Sequence, residues 1–318
     1  MRTPPLRGPS HEPPLAGDPN AGVKPDARPD VGADANAPVT PDASPPPTTV
    51  DIGPTPPTMI PPVTVPPDVD LLTGLALYLT LDDPNLSSTA RDDSGQRNIA
   101  VLRGFAERET AWVAGRNGGA LKLTGGTTGG WIEVESSPSL NAISSAFTVA
   151  VWLYRTPENQ SDGVIVARHA GGTTGCLYCF SIRSATLHVG INTGNGYFGD
   201  ASGDRAVPAT GWVHLAATYS QGTIRLYMNG EPVGTATYAL GLAPDRVPVT
   251  VGAIQDAAGN TSGRLTGHID DLVLYSRMLS AKEIAALARG INPNVYRQIK
   301  GQTVAPAVMT VRGASPSP

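Results

Sequence analysis

Residues 211–234 read GWVHLAATYSQGTIRLYMNGEPVG. Val213, Leu215, Ala217 and Tyr219 recur with period two, as do Ile224, Leu226 and Met228, so each run places its apolar side chains on one face of a strand. Asn229-Gly230 follows directly. It is the strongest short hairpin signal, because both residues accept the positive φ that a tight two-residue turn requires. The stretch therefore reads as strand, turn, strand and hairpin, with one face of each strand turned to a core.

The same texture extends in both directions. Residues 146–155 (AFTVAVWLYR) are apolar on both faces, which suits a central strand covered on two sides. Residues 74–82 (GLALYLTLD) alternate strictly, with Leu75, Leu77, Leu79 and Leu81 on one face. Residues 119–124, 131–135, 163–168, 186–192, 247–252 and 265–275 are further strand candidates. Many short strands separated by Gly-rich turns predict an all-β sandwich. Ser280 and Glu283 form a capping box ahead of IAALARG, and Gly290 stands where the helix would stop. One short helix of two to three turns is expected there.

Composition divides the 318 residues unevenly. Of 31 prolines, 20 fall in residues 1–68, and no Trp, Tyr or Phe precedes Tyr78. Without aromatic side chains, and with few large aliphatic ones, such a segment cannot offset an ordering entropy of about 1–2 kcal/mol per residue. Residues 1–68 are expected to be a disordered Pro/Asp/Ala-rich spacer, 69–290 one sandwich, and 291–318 a mostly loose tail. The net charge is −4, with 23 basic and 27 acidic residues and no Lys/Arg block, which argues against a nucleic-acid partner. No run of about 18 apolar residues predicts a transmembrane helix. The opening MRTPPLRGPSHEPP lacks the apolar centre of a signal peptide. A leader or lipid anchor would have to come from a start further upstream.

Cys176 and Cys179 are the two cysteines. Residues three apart in an extended strand are about 10 Å apart, so a disulfide requires a turn at Leu177-Tyr178. The alternatives are two small buried hydrophobes at a strand edge, or metal or redox chemistry.

With these elements in order, the chain resembles the bacterial laminin-G-like, or concanavalin A-like, jelly-roll family from about Gly74 to Ala288. GLALYLTLDD resembles its opening strand, and RDDSGQRN its acidic turn, with Asp93 where Ser is more usual. GGALKLTGGTTGGWIEVESSPSLNAISSAFTVAVWLY resembles its Gly-rich hairpin and following strand. GWVHLAATYSQGTIRLYMNGEPVG and GHIDDLVLYSRMLSAKEIAAL resemble its later strands and closing helix. The resemblance implies a concanavalin A-like jelly roll used for carbohydrate, matrix or protein binding at the cell surface or outside the cell. It also implies a structural calcium. Asp82, Asp92 and Asp270 are the expected ligands, since converging carboxylates repel one another without a cation. Turn capping by the same side chains is the alternative reading.

Enzymes of related fold carry their carboxylates as ExDxxE on one strand. Here Glu133 and Glu135 share a face, but the middle Asp is missing and Pro138 fills the third acidic position, so no catalytic pair is expected. His169, His188, His214 and His268 occur without a nucleophile elbow. A sugar site needs exposed aromatic rings beside polar groups, for which Trp112, Trp131, Tyr197, Phe198 and Tyr238 are candidates. Trp152 and Trp212 lie in motif strands and are assigned to the core. Segment 192–205, NTGNGYFGDASGDR, is polar and loop-like, and loops on a rigid scaffold commonly carry binding. Tyr197 and Phe198 are therefore the expected ligand contacts. The functional expectation is a non-catalytic module for a polysaccharide or glycoconjugate, shown on a flexible spacer. A protein-adhesion domain without a glycan site is the alternative, and a glycoside hydrolase a distant third.

Overall fold

The computed structural model describes residues 65–83, 86–156, 162–169, 176–192, 198–238, 241–242, 246–256 and 258–302. The chain divides into two units, Met1–Ile60 and Pro61–Pro318, and every described residue belongs to the second.

In chain order the first strands are β1 (Leu75–Leu79), β2 (Thr89–Ala90), β3 (Ala100–Arg103), β4 (Trp112–Ala114), β5 (Gly119–Thr124) and β6 (Trp131–Val134). A helical turn α1 (Pro138–Asn141) precedes β7 (Ala146–Arg155), β8 (Gly163–His169), β9 (Cys176–Arg183), β10 (Thr186–Asn192), β11 (Phe198–Ala206) and β12 (Gly211–Ser220). Then follow β13 (Thr223–Met228), β14 (Glu231–Thr237), β15 (Val249–Val251), β16 (Ile254–Gln255), β17 (Thr261–Ser262) and β18 (Thr266–Tyr275). Helices α2 (Ala281–Ala288) and α3 (Pro293–Gln302) come last.

Two eight-stranded sheets form the sandwich. The first runs β14-β13-β12-β7-β18-β5-β4, with β1 also paired to β18. The second runs β11-β10-β9-β8-β15-β6-β3-β2. Asn229 and Gly230 take φ of 51° and 87°, as the β13–β14 hairpin requires. Strand β7 shows why its sequence is apolar throughout. Phe147, Val149, Val151 and Leu153 join the core between the sheets, while Ala150 faces outward into a second buried cluster.

That second cluster lies on the outer face of the first sheet. Ala150, Ala216, Val273 and Tyr275 pack there with Ile284 and Leu287 of α2, and with Tyr296 of α3. The capping box of α2 forms: Glu283 N–H donates to Ser280 Oγ, and Ser280 N–H to Glu283 Oε2. At both ends the packed structure exceeds the expected domain. Val65 packs against the cluster, and Asp68 pairs with Lys282 at 2.5 Å. Residues 293–302, expected to be part of a loose tail, are helical. Asn292 Oδ1 accepts from Val295 N–H, Pro293 starts the helix, and the buried Tyr296 donates its hydroxyl to Val69 O at 2.8 Å.

Segment 192–205 is a second correction, since β11 occupies its latter half as the edge strand of the second sheet. Ala201 faces the core, while Ser202 and Asp204 stand at the surface. An edge strand with so little apolar content reads as a loop in sequence. Tyr238 fixes it, accepting a hydrogen bond from Asp200 N–H and donating one to Asp200 O.

Candidate functional site

The helices leave part of the first sheet's outer face open. Trp212, Tyr154, His268 and Lys122 are direct cross-strand neighbours on β12, β7, β18 and β5. With strands about 4.8 Å apart, this row spans about 14 Å. Trp212, Tyr154 and His268 are half-buried and Lys122 is exposed. The Tyr154 ring lies 5.5 Å from Trp212 at 59°, and 5.3 Å from His268 at 24°. Burial, and then the Lys122 charge, hold His268 below the usual histidine range. At neutral pH the row is thus three uncharged rings ending in one ammonium group.

Sequence reasoning placed both tryptophans in the core. Trp152 is buried, 5.3 Å from His214, with Arg116 5.0 Å over its ring. Trp212 is a surface residue instead. It shares its strand face with His214 and Ala216, and α2 covers only the Ala216 end of that face. The period-two pattern already put Trp212 opposite Val213. What it lacked was the reach of the helix.

The expected calcium residues do not assemble as a trio. Asp92 accepts from Tyr78 N–H, Ser94 N–H and Oγ, and Asn98 N–H and Nδ2, all within 3.0 Å, so its carboxylate is spent on its own turn. Asp82 and Asp270 both bind the β4–β5 hairpin. Asp82 Oδ1 accepts from Gly119 N–H at 2.5 Å, and Asp270 Oδ2 from Arg116 and Asn117 N–H at 2.7 and 2.8 Å. Burial, with Asp271 alongside, pushes the Asp270 carboxyl up to about 7. Asp271 itself is bound by Tyr78 Oη, Asn117 Nδ2 and Asn292 Nδ2. One oxygen is left over: Asp270 Oδ1 is buried without a hydrogen-bond partner. Among the described residues, no three His, Cys, Asp or Glu side chains are placed to share an ion. A cation here would rest on Asp82 and Asp270, not on the expected set of three.

Tyr197 and the side chain of Phe198 lie outside the described residues. Of the other aromatic candidates, Trp112 is buried in the core and Trp131 is half-buried with Arg264 4.7 Å from its ring. Glu133 is held by Arg103 at 3.0 Å. Cys176 and Cys179 are buried free thiols on one unbroken strand, with no turn at Leu177-Tyr178. A β-bulge opposite Arg168 and His169 lets both join the same small cluster with Val164, Ala167 and Ile254. Their mutual hydrogen bond, and then burial, push the Cys176 thiol up.

A further feature was not legible in sequence. Strand β4 is only three residues long and pairs with Gly119–Leu121 of β5, and Lys122 N–H donates to Ala111 O just before it at 2.7 Å, so β4 does not reach Leu123 and Thr124 at the end of β5. The loop carrying Phe105 and Glu107, the turn at Thr110, and Thr128 and Gly130 enclose a cavity there of about 220 Å³, together with Lys122 and Thr124.

Among solved structures, the binding domain of botulinum neurotoxin DC in complex with SialylT matches with TM-score 0.53 at 16% identity. The binding domain of Paraclostridial Mosquitocidal Protein 1 matches with TM-score 0.53 at 19% identity. Each match covers 70% of this chain and 53% of the other. At such identity the likeness concerns the fold alone. Adhesion G-protein coupled receptor V1 of Danio rerio is 28% identical over 176 residues, which is 50% of this chain and 3% of the receptor. Pappalysin-1 of Mus musculus is 29% identical over 159 residues, 44% of this chain and 9% of that protein. The chain therefore spans only a small part of these relatives. The family model for concanavalin A-like lectin/glucanases matches residues 125–285, half of the chain. The chain belongs to the concanavalin A-like lectin/glucanases superfamily.

Proposed function

We propose that this chain is a non-catalytic binding module that lays a segment of glycan along the row Trp212–Tyr154–His268–Lys122, displayed outside the cell or on its surface. The carrying observation is that three half-buried rings, each with a polar edge group, stand side by side where the helices stop. Such rings pack on the apolar faces of sugars while their N–H and O–H groups reach hydroxyls. Two features support a role without catalysis. Glu133, the nearest candidate acid, is committed to Arg103, and the relatives include chains whose names describe binding domains.

A ring buried against a sugar contributes about 1–3 kcal/mol, so a single site has micromolar to millimolar affinity. Useful retention then comes from many copies on a surface, or from tethering by the proline-rich arm. The test is a glycan array on the full chain, followed by titration of the best polysaccharide. Trp212→Ala and Tyr154→Ala are each expected to weaken it roughly 5- to 150-fold. Tyr197→Ala and Phe198→Ala report on the contact expected from the sequence. If binding survives both platform variants and fails in the second pair, the site moves to the 192–205 segment. No glycan bound at millimolar concentration would favour the protein-adhesion alternative.

Calcium is part of the same proposal, confined to Asp82 and Asp270, where it would neutralise the buried Asp270 Oδ1. A ligand bound only by the folded state stabilises by about 2.7 kcal/mol at a hundredfold excess over Kd. Millimolar Ca²⁺ is thus expected to raise the melting temperature of the wild type over that in chelator, and to leave Asp270→Asn unmoved. Superimposed wild-type curves would remove calcium from the account.

A further inference from the structure

We infer that the 220 Å³ cavity at the open edge of β5 is a second subsite of this binding face, built to take one neutral sugar ring at the end of the glycan chain. The inference rests on the reading of the aromatic row as a glycan platform. Lys122 connects the two features. It ends the row as the cross-strand neighbour of His268, and it also lines the cavity. A chain laid along the row reaches the cavity without leaving the protein surface.

Size sets the occupant's dimensions. Pockets for drug-sized ligands measure about 300–1,000 Å³, so this smaller space holds about one ring. Its lining sets the chemistry. Thr124 and Thr128 offer hydroxyls that donate and accept, Thr110, whose hydroxyl donates to Glu107 O at 3.4 Å, offers an acceptor, Lys122 offers donors only, and Glu107 acceptors only. A sugar ring, whose every hydroxyl both donates and accepts, can use all three kinds at once. The lining carries one cation and one anion, and neither Lys122 nor Glu107 forms a salt bridge among the described residues. The charges balance, which favours an uncharged sugar over a uronate or an amino sugar. Phe105 supplies the apolar wall. It sits so close to the backbone that a Cβ at Gly130 would lie 2.4 Å from its ring, so that wall is held in place.

The experiment is saturation-transfer NMR on the full chain with an equimolar mixture of glucose, galactose, mannose and glucuronate. Saturation is expected on the ring protons of at least one neutral hexose and not on glucuronate. Thr128→Trp, which fills the cavity from an exposed position, is expected to reduce it at least fivefold, while Ser145→Trp, exposed just before β7 and at the far end of that strand from Tyr154, leaves it within about twofold. No saturated neutral hexose, a preference for glucuronate, or a signal undiminished by Thr128→Trp would each overturn the subsite. The two readings fail separately. Loss of the cavity signal alone leaves polysaccharide binding dependent on Trp212. Polysaccharide binding indifferent to Trp212→Ala, with the hexose signal intact, removes the platform and keeps the cavity.

Discussion

Acidification from pH 7 to pH 4 is expected to cost the wild-type protein about 3 kcal/mol more stability than it costs His214→Phe. His214 is buried on the outer face of the first sheet against Trp152, and its Nδ1 has no hydrogen-bond partner. Burial alone depresses its pKa from 6.5 to about 3. The folded state therefore keeps the ring neutral where the unfolded chain binds a proton. Stability from this residue is fully present above pH 6.5 and is lost as pH falls toward 3, by about 1.4 kcal/mol per unit. Asp270 titrates in the opposite sense, since its raised pKa lets the folded state hold a proton that the unfolded chain has released. The total pH profile therefore mixes both. The difference between wild type and His214→Phe isolates the imidazole, because phenylalanine keeps an aromatic edge toward Trp152 and removes the titration. Urea unfolding at several pH values measures it. Parallel stability curves for the two proteins would show that His214 is not a neutral buried histidine.

Gly118→Ala is expected to destabilise the protein by about 3 kcal/mol, and Gly126→Ala by about 1 kcal/mol. Both glycines have left-handed backbone, with φ of 72° and 65°, so both substitutions carry the same conformational cost. Their surroundings differ. At Gly126 an added Cβ meets nothing within 4 Å, whereas at Gly118 it would lie 2.2 Å from Asp82 Oδ1. Alanine at 118 must push Asp82 off Gly119 N–H and disturb the hairpin that Asp270 also holds. For a domain of this size 1 kcal/mol moves the melting temperature by about 2–4 °C. Gly118→Ala should therefore melt about 6–12 °C below wild type. Equal shifts for the two variants would mean that Asp82 yields freely and does not anchor the hairpin. If calcium binds at Asp82 and Asp270, Gly118→Ala should also lose the calcium response, while Gly126→Ala keeps it.

Features governed by neighbouring residues could be read directly from the amino-acid order. Alternation in 213–219 and 224–228 assigned the core face of β12 and β13, and Asn229-Gly230 fixed the turn that follows. Ser280 and Glu283 placed the start of α2, and the apolar run 146–155 announced a strand covered on both sides. Each signal depends on residues a few positions apart. The remaining features depend on which distant segments dock together, and no short window of residues specifies that. Tyr296 became a core residue through its contact with Val69, 227 positions away. Polar β11 became a strand because β10 supplies its hydrogen bonds and Tyr238 clamps its backbone. Asp92 lost its place among the metal candidates because Asn98 and Ser94 saturate it, while Asp82 and Asp270 were joined by a hairpin distant from both in sequence. Trp212 and the edge cavity follow the same logic. A strand's period says which side chains share a face, but whether that face meets solvent depends on where α2 ends and how far β4 extends.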